Sequence, residues 1–276
     1  MFLRRVYLLL RKFMSVDKEM SFLDHLEELR WRLVKSAIAI ILFAAVLWTF
    51  QEWIMENVFL SLRSKDFITY QKMCEWFGVC AGDVPIQMQS QTMSGQFSYS
   101  LVMSLMGGFV GAFPFVFFQI WRFIKPGLKQ NEVSISKGII FYVSVLFYLG
   151  ILFGYFVLAP LCVQFFGTYK ISEEINNIFT VNSYLSTILS TVFYSGLLFL
   201  LPVVSYLLTK LGIINAAFLR KYRKHAIVAV LILSAVITPP DLISQVIVAI
   251  PIALLYEVGI LVSSRAEKKR NAENAA

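Results

Sequence analysis

The chain has 276 residues, 58% of them apolar and only 15% charged, with a mean hydropathy of +0.70. Soluble domains carry about 25% charged and about 45–50% apolar residues, so a water-soluble globule is excluded, as is disorder, which needs low hydrophobicity. Three cysteines and 14 glycines exclude a disulfide scaffold and a collagen-like chain, leaving an integral membrane protein whose net charge of +8 must be read by its placement.

A bilayer-spanning helix needs about 20 mostly apolar residues. Six segments approach this, roughly 36–53, 97–121, 138–158, 183–208, 225–238 and 242–263. No run of alternating ten-residue strands suggests a barrel, so the fold class expected is all-α, with six transmembrane helices in one polytopic domain, 1–276.

The N-terminal segment, 1–35, opens with Arg4-Arg5-Val6-Tyr7-Leu8-Leu9-Leu10, a run broken by Arg11-Lys12. No small-residue cleavage site follows. The segment reads as an amphipathic stretch on the lipid surface, with a loose tail as the alternative. In His25–Leu33, Ser21 or Asp24 can cap a helix, and Leu26, Leu29 and Leu33 predict an apolar stripe. Glu27 and Glu28 then fall at its sides. As a pattern alone this is a solvated helix face with Glu28 and Arg32 as an i,i+4 pair.

The first span leads to a long outer loop, 54–96, carrying Cys74 and Cys80. An oxidising compartment permits a small disulfide-closed loop there, with free thiols as the alternative; Cys162 reads as packing. Gly107-x3-Gly111 in the second span and Gly150-x3-Gly154 in the third fit close helix packing, within one bundle or between subunits. Trp53 and Trp121 fall at span ends, where interfacial indoles are expected. Pro126-Gly127 marks a turn after the second span. Glu132 is the sole acid among Arg122, Lys125, Lys129 and Lys137, so it makes either a local ion pair or a carboxylate patch that converges with the first cluster.

The fifth span, 14 residues long before Pro239-Pro240, reaches only ~21 Å against a hydrocarbon core of ~30 Å. It forms a shortened hairpin with the sixth, relieved by local bilayer thinning or by packing under its neighbours. Gln245, one turn after Asp241, is deep enough to need a helix partner. Glu257 is an intramembrane acid, and burying it costs at least ~2.5 kcal/mol. It is therefore a functional candidate unless it snorkels to the nearby helix end. A tail, 264–276, closes the chain.

The basic residues divide sharply. Twenty-one of the 25 lie in segments 1–35, 122–137, 209–224 and 264–276, and four lie in the alternate segments. With the acids included, one face nets +13, the other −4, and Glu257 stands apart. The positive-inside rule then puts both termini in the cytoplasm, so the net charge reports topology and no nucleic-acid partner. No phosphate-binding G-x-x-x-x-G-K-[ST], G-x-S-x-G or H-E-x-x-H is present, and the only histidines, His25 and His225, sit at helix ends. Neither an enzyme nor a metal or other cofactor is expected.

Several motifs, in order, resemble the TatC family, the multi-spanning receptor subunit of the twin-arginine (Tat) translocase. They are Phe22-Leu23-Asp24-His25-Leu26-Glu27-Glu28-Leu29-Arg30; Pro114 to Gln119 leading into Trp121–Leu128 and Glu132; Phe147-Tyr148-Leu149-Gly150; Ala159-Pro160-Leu161; Arg220–Lys224; and Thr238-Pro239-Pro240-Asp241 with Gln245, Pro251 and Tyr256-Glu257. The resemblance implies a receptor for twin-arginine signal peptides, exporting folded proteins on the proton gradient. Its partners would be small single-span subunits of TatA/TatB type, membrane lipid and further copies of itself. It also implies that Glu28 and Glu132 bind the arginine pair, with Arg30 and Phe123 nearby, since guanidinium forks suit carboxylates.

The same resemblance places partner-helix docking around Gln245 and Asp241, and a family acid at Glu173 or Glu174. Two features depart from the family: the longer outer loop with its cysteine pair, and Trp31 where a basic residue is common. A secondary transporter for a small solute is the rival reading. It requires ionisable groups around a midplane cavity.

Overall fold

The computed structural model describes residues 22–78, 82–84, 87–124, 136–172, 174, 177–210, 212–237 and 242–275. The basic stretch expected on the lipid surface, 1–20, lies outside the described residues.

Helix α1 spans Phe22–Thr49. It begins fourteen residues before the expected span, and no glycine or proline interrupts it, so the His25–Leu33 cluster and the first span are one rod. Its 28 residues reach ~42 Å, more than the hydrocarbon core needs. The chain continues as α2, Gln51–Ile54, a π turn, Met55–Phe59, and a 3-10 turn, Leu60–Arg63. Helix α3, Ile68–Phe77, stops at Gly78, whose φ of 67° is the left-handed conformation that glycine supplies at a helix end.

After β1, Gln87–Gln89, come α4, Gly95–Ile124, and α5, Ser136–Phe153. A π turn, Gly154–Leu158, joins α5 to α6, Ala159–Thr168. Strand β2, Ile178–Thr180, precedes α7, Val181–Leu198, and α8, Leu201–Lys210. The fourth span breaks at Phe199-Leu200 because Pro202 sits in the first turn of α8, where its missing N–H costs nothing. Helices α9, Ala216–Lys221, α10, Arg223–Ile237, and α11, Leu242–Ala275, complete the chain.

Among the described residues five helical stretches are long and apolar enough to cross a membrane: 25–49, 95–124, 138–168, 181–210 and 245–268. Helix α10, with 15 residues, reaches only ~22 Å and falls short, as its sequence implies. The all-α expectation needs one amendment. Strands β1 and β2 pair in parallel from Gln87↔Ile178 to Gln89↔Thr180, tying the first outer loop to the segment before α7. Three-residue strands are too short to show alternation, so sequence periodicity could not reveal them.

Glycines set how closely the helices approach. A Cβ at Gly108 would lie 2.7 Å from the Ile40 carbonyl oxygen and 2.8 Å from the Ala44 nitrogen, so α4 touches the α1 backbone. Gly150 does the same on α7, where a Cβ would lie 2.8 Å from both the Gly196 Cα and the Ser195 carbonyl oxygen. These contacts are within the bundle, the first of the two roles the small-residue spacing allowed. Phe113, Phe147, Val143 and Trp121 pack one core layer; Leu185, Ile188, Val163 and Phe59 pack another, beside the turns at 55–63.

Three tyrosines donate to carbonyls in and beside these irregular turns. Tyr155 Oη donates to the Val58 carbonyl (2.9 Å) and Tyr184 Oη to that of Phe59 (2.6 Å). Tyr70 Oη serves Leu62 (3.0 Å) and Pro160 (2.9 Å). Burial pushes the Tyr70 phenol pKa up, so it remains a protonated donor. Tyr184→Phe is expected to remove this buried hydrogen bond to the Phe59 carbonyl and cost about 1 kcal/mol. A fall in the thermal midpoint of the detergent-solubilised protein, with its helix content unchanged, would register the loss.

Candidate functional site

Helix α1 turns a polar stripe toward the bundle. His25, Glu28 and Arg32 are half-buried and Ser36 is buried, while Leu26, Trp31 and Leu33 are exposed at 45%, 56% and 56%. The expected Glu28–Arg32 i,i+4 pair is present and Glu27 is exposed, but the apolar stripe splits, with Leu29 half-buried and Leu26 and Leu33 exposed. In a membrane protein the outside is apolar, so leucines can face outward and polar groups turn to protein partners. Further along the same stripe Ala44 is buried against Gly108.

Glu28 is the centre of the stripe. Arg32 Nε donates to its Oε1 at 3.0 Å, and Arg32 Nη2 reaches the same oxygen. The two side chains are only 26% and 13% exposed, and the second oxygen, Oε2, is buried with no hydrogen-bond partner among the described residues. Ser36 Oγ donates to the Arg32 carbonyl (3.0 Å). The His25 ring stacks on Phe123, centroids 4.3 Å apart and planes 16° apart, which pins the first turn of α1 to the last turn of α4. Phe123 thus meets the first turn of α1 through His25, one turn before Glu28. Arg30 is exposed, off the stripe.

Trp121 is not the interfacial indole expected: it is 4% exposed within the Phe113–Phe147 layer, its Nε1 without a partner. Its neighbour Arg122 takes the exposed position, 5.8 Å over the Phe118 ring. Glu132, Asp241, Glu173 and Cys80 lie outside the described residues. Cys74 is disulfide-bonded, and Cys162 is buried. Glu174 is exposed between α6 and β2, its backbone N–H donating to Ser172 Oγ (3.3 Å).

The α10–α11 hairpin is held by polar pins. Gln245 Nε2 donates to the Leu231 carbonyl (3.1 Å), which is the helix partner its depth called for. Glu257 is not alone, because Arg223 Nη2 reaches its Oε2 at 2.7 Å. Tyr256 Oη donates to the Leu219 carbonyl (2.9 Å), and Glu267 Oε2 accepts from Ala216 N–H (3.0 Å) at the start of α9. Arg223 and Glu267 escaped sequence reasoning. The Arg220–Lys224 run counts toward topology and among the family motifs, and its third basic residue stands 34 positions from the acid it neutralises.

A cavity of about 620 Å³ opens between α1, α4, α5 and α7, bounded by Leu47, Met103, Gly107, Ile151 and Val192. Its polar groups are Ser104, whose hydroxyl is buried without a partner, and Tyr155, which is bonded to Val58. No carboxylate or base among the described residues lines it, so this cavity does not supply the ionisable midplane site that the solute-transporter reading requires.

Comparison with known proteins agrees with this arrangement. The family model described as "Sec-independent protein translocase protein (TatC)" matches residues 24–251. The TatC of a Blattabacterium from Periplaneta americana is 38% identical over 260 residues, covering 91% of this chain and 98% of that one. TatCy of Bacillus subtilis is 30% identical over 258 residues, covering 94% of each. A crystal structure of the twin-arginine translocase receptor TatC, 30% identical, superposes with a TM-score of 0.66 over 88% of this chain and 99% of that one. Motif order, helical architecture and these likenesses converge, and the chain belongs to the TatC family of Sec-independent protein translocase proteins.

Proposed function

We propose that this chain is the twin-arginine signal-peptide receptor of its translocase, and that Glu28 and Glu132 hold the arginine pair on the cytoplasmic face. The observation that carries the reading is Glu28 itself: a carboxylate turned into the α1–α4 junction, its Oε2 buried and lacking a donor among the described residues. A guanidinium supplies donors in a planar fork that such an oxygen accepts well. Phe123 and the His25 ring wall the site, and Arg30, exposed on the same turn, lies where an approaching peptide passes.

The topology that fits this role has six spans with both termini cytoplasmic. The division of basic residues, 21 against four, supports it, with α10 as a short sixth crossing element. The protein would then sit in a bacterial-type inner membrane, with its exported cargo folded and its driving force the proton gradient. Small single-span Tat subunits would dock at the hairpin bearing Asp241 and Gln245, and further copies of the chain would complete a receptor complex. Arg223 and Glu257 keep that hairpin closed; the role carried over for Glu173 or Glu174 belongs to the outer end. The chain acts by binding and assembly, with no catalytic residue assigned.

The test is a synthetic signal peptide bearing a photoreactive residue beside its two arginines. Labelling is expected on the first turns of α1 and on the 122–137 segment, and it should fall when both arginines are lysines. Labelling confined to other faces, or indifferent to the lysine change, would sink the assignment.

A further inference from the structure

The Glu28–Arg32 pair is lopsided. Two guanidinium nitrogens of Arg32 converge on Oε1, whereas a fork-to-fork pair would engage both carboxylate oxygens. Among the described residues Oε2 is left buried without a donor, a costly condition for an ionised acceptor. Arg32 is itself held: only 13% of its side chain is exposed, and Ser36 Oγ binds its carbonyl one turn on. The neighbouring turn meets α4 at the His25–Phe123 stack, so Arg32 tethers Oε1 while an incoming guanidinium reaches Oε2 by a small swing of the glutamate side chain about that tether.

From this we infer that Arg32 is a positioning residue for signal-peptide recognition: it occupies one oxygen of Glu28 and so presents the other to an incoming arginine. The inference rests on the proposed receptor reading and adds to it a division of labour within one carboxylate. The peptide's guanidinium completes Glu28 and does not displace Arg32. Holding the carboxylate by one oxygen before the ligand arrives removes an ordering cost from binding. It also makes the site selective, because a tethered acceptor rewards the planar donor of arginine over the compact ammonium of lysine.

The alternative physical role for the same pair is competition, with Arg32 as an internal stand-in that the peptide must evict. The two roles predict opposite signs. If Arg32 competes, its removal tightens peptide binding; if it positions, its removal weakens binding and erodes the arginine preference.

The experiment uses the full chain in nanodiscs and two fluorescent synthetic peptides, identical except for an Arg-Arg or a Lys-Lys pair. Wild type is expected to favour the arginine peptide by about tenfold or more, the scale of one charge-assisted hydrogen bond. In Arg32→Gln the arginine peptide should bind about tenfold more weakly, and the ratio of the two Kd values should fall to within about threefold. Arg32→Lys, which keeps a cation one turn from Glu28, should recover most of the ratio. A ratio of dissociation constants is independent of the fraction of protein that is folded, so simple damage to α1 does not imitate this result.

Tighter binding in Arg32→Gln, or an unchanged ratio, overturns the inference. Should Arg32→Gln not be recoverable from membranes, Arg32→Met, which removes the cation and keeps an apolar stem of similar length, decides by the same two outcomes. Glu28→Gln separates the layers: if it binds both peptides as wild type does, the receptor assignment of Glu28 fails, whatever position 32 does.

Discussion

Glu28→Gln is expected to weaken binding of an Arg-Arg signal peptide by about a hundredfold or more, since neutralising one partner of a buried interfacial charge pair, here Glu28 with the peptide's arginine, typically costs about 2–5 kcal/mol. The intrahelical Glu28–Arg32 pair matters less. The substitution keeps the side chain's length and shape and still offers Arg32 one accepting oxygen, so its effect on folding is small. The pair lies near a helix end and joins residues one turn apart. Such pairs contribute about 1 kcal/mol or less to stability, which shifts a thermal midpoint by only ~2–4 °C in a chain of this size. Binding should therefore collapse while melting barely moves. Titration of a labelled peptide against the nanodisc-embedded protein, with a melting curve on the same preparation, measures both. A large loss of stability with an unchanged Kd would assign Glu28 to structure and remove it from recognition.

That selectivity for function over stability follows from where the chain places its few acids. A soluble helix with Leu26, Leu29 and Leu33 buries the leucines and solvates the glutamates. Here Leu26 and Leu33 are exposed while Glu28 and Arg32 are half-buried, so the residue types and the ion pair were legible while the face turned to the bundle was not. The same limit applies to Trp121. Its place at a span end suggested an interfacial indole, yet α4 turns it into the Phe113–Phe147 layer and leaves Arg122 outward. Periodicity gives a helix its faces, but the solvent decides which one turns inward.

Long-range pairs were the other blind spot. Arg223–Glu257 joins residues 34 positions apart, and Glu267 reaches 51 positions back to Ala216. Charge counting assigned Arg223 to the cytoplasmic basic run and left Glu257 unneutralised, although both belong to one hairpin. What the sequence could announce was the need: an acid and a glutamine within apolar spans each demand a partner. The identity of that partner depends on the crossing of α10 and α11, which local pattern does not encode. Likewise the tyrosines that satisfy the Val58, Phe59 and Leu62 carbonyls could be seen only once the π and 3-10 turns were known.

Spacing alone also ranked the two glycine motifs as equals, and the structure does not. At Gly107 an added Cβ would meet Leu47 Cδ1, the far end of a flexible side chain, at 2.7 Å, and at Gly111 the edge of the Phe43 ring. At Gly150 it would meet the Gly196 Cα, the Phe199 Cβ and the Ser195 carbonyl oxygen, each at 2.8 Å. Side-chain tips can rotate away; backbone and Cβ atoms move only if α5 and α7 part. Parting them also breaks the hydrogen bond from Ser195 Oγ to the Gly150 carbonyl (2.8 Å). Gly150→Leu is therefore expected to cost more than the ~1–3 kcal/mol usual for overpacking and to abolish recovery of monodisperse protein from detergent extracts. Gly107→Ala should cost ~1 kcal/mol or less and leave the elution profile unchanged. Fluorescence-detected size exclusion with a thermal ramp compares the two directly. If both elute and melt alike, the Gly150–Gly196 approach is looser than described, and the wall of the cavity that runs through Ile151 and Val192 is adaptable and not fixed by that contact.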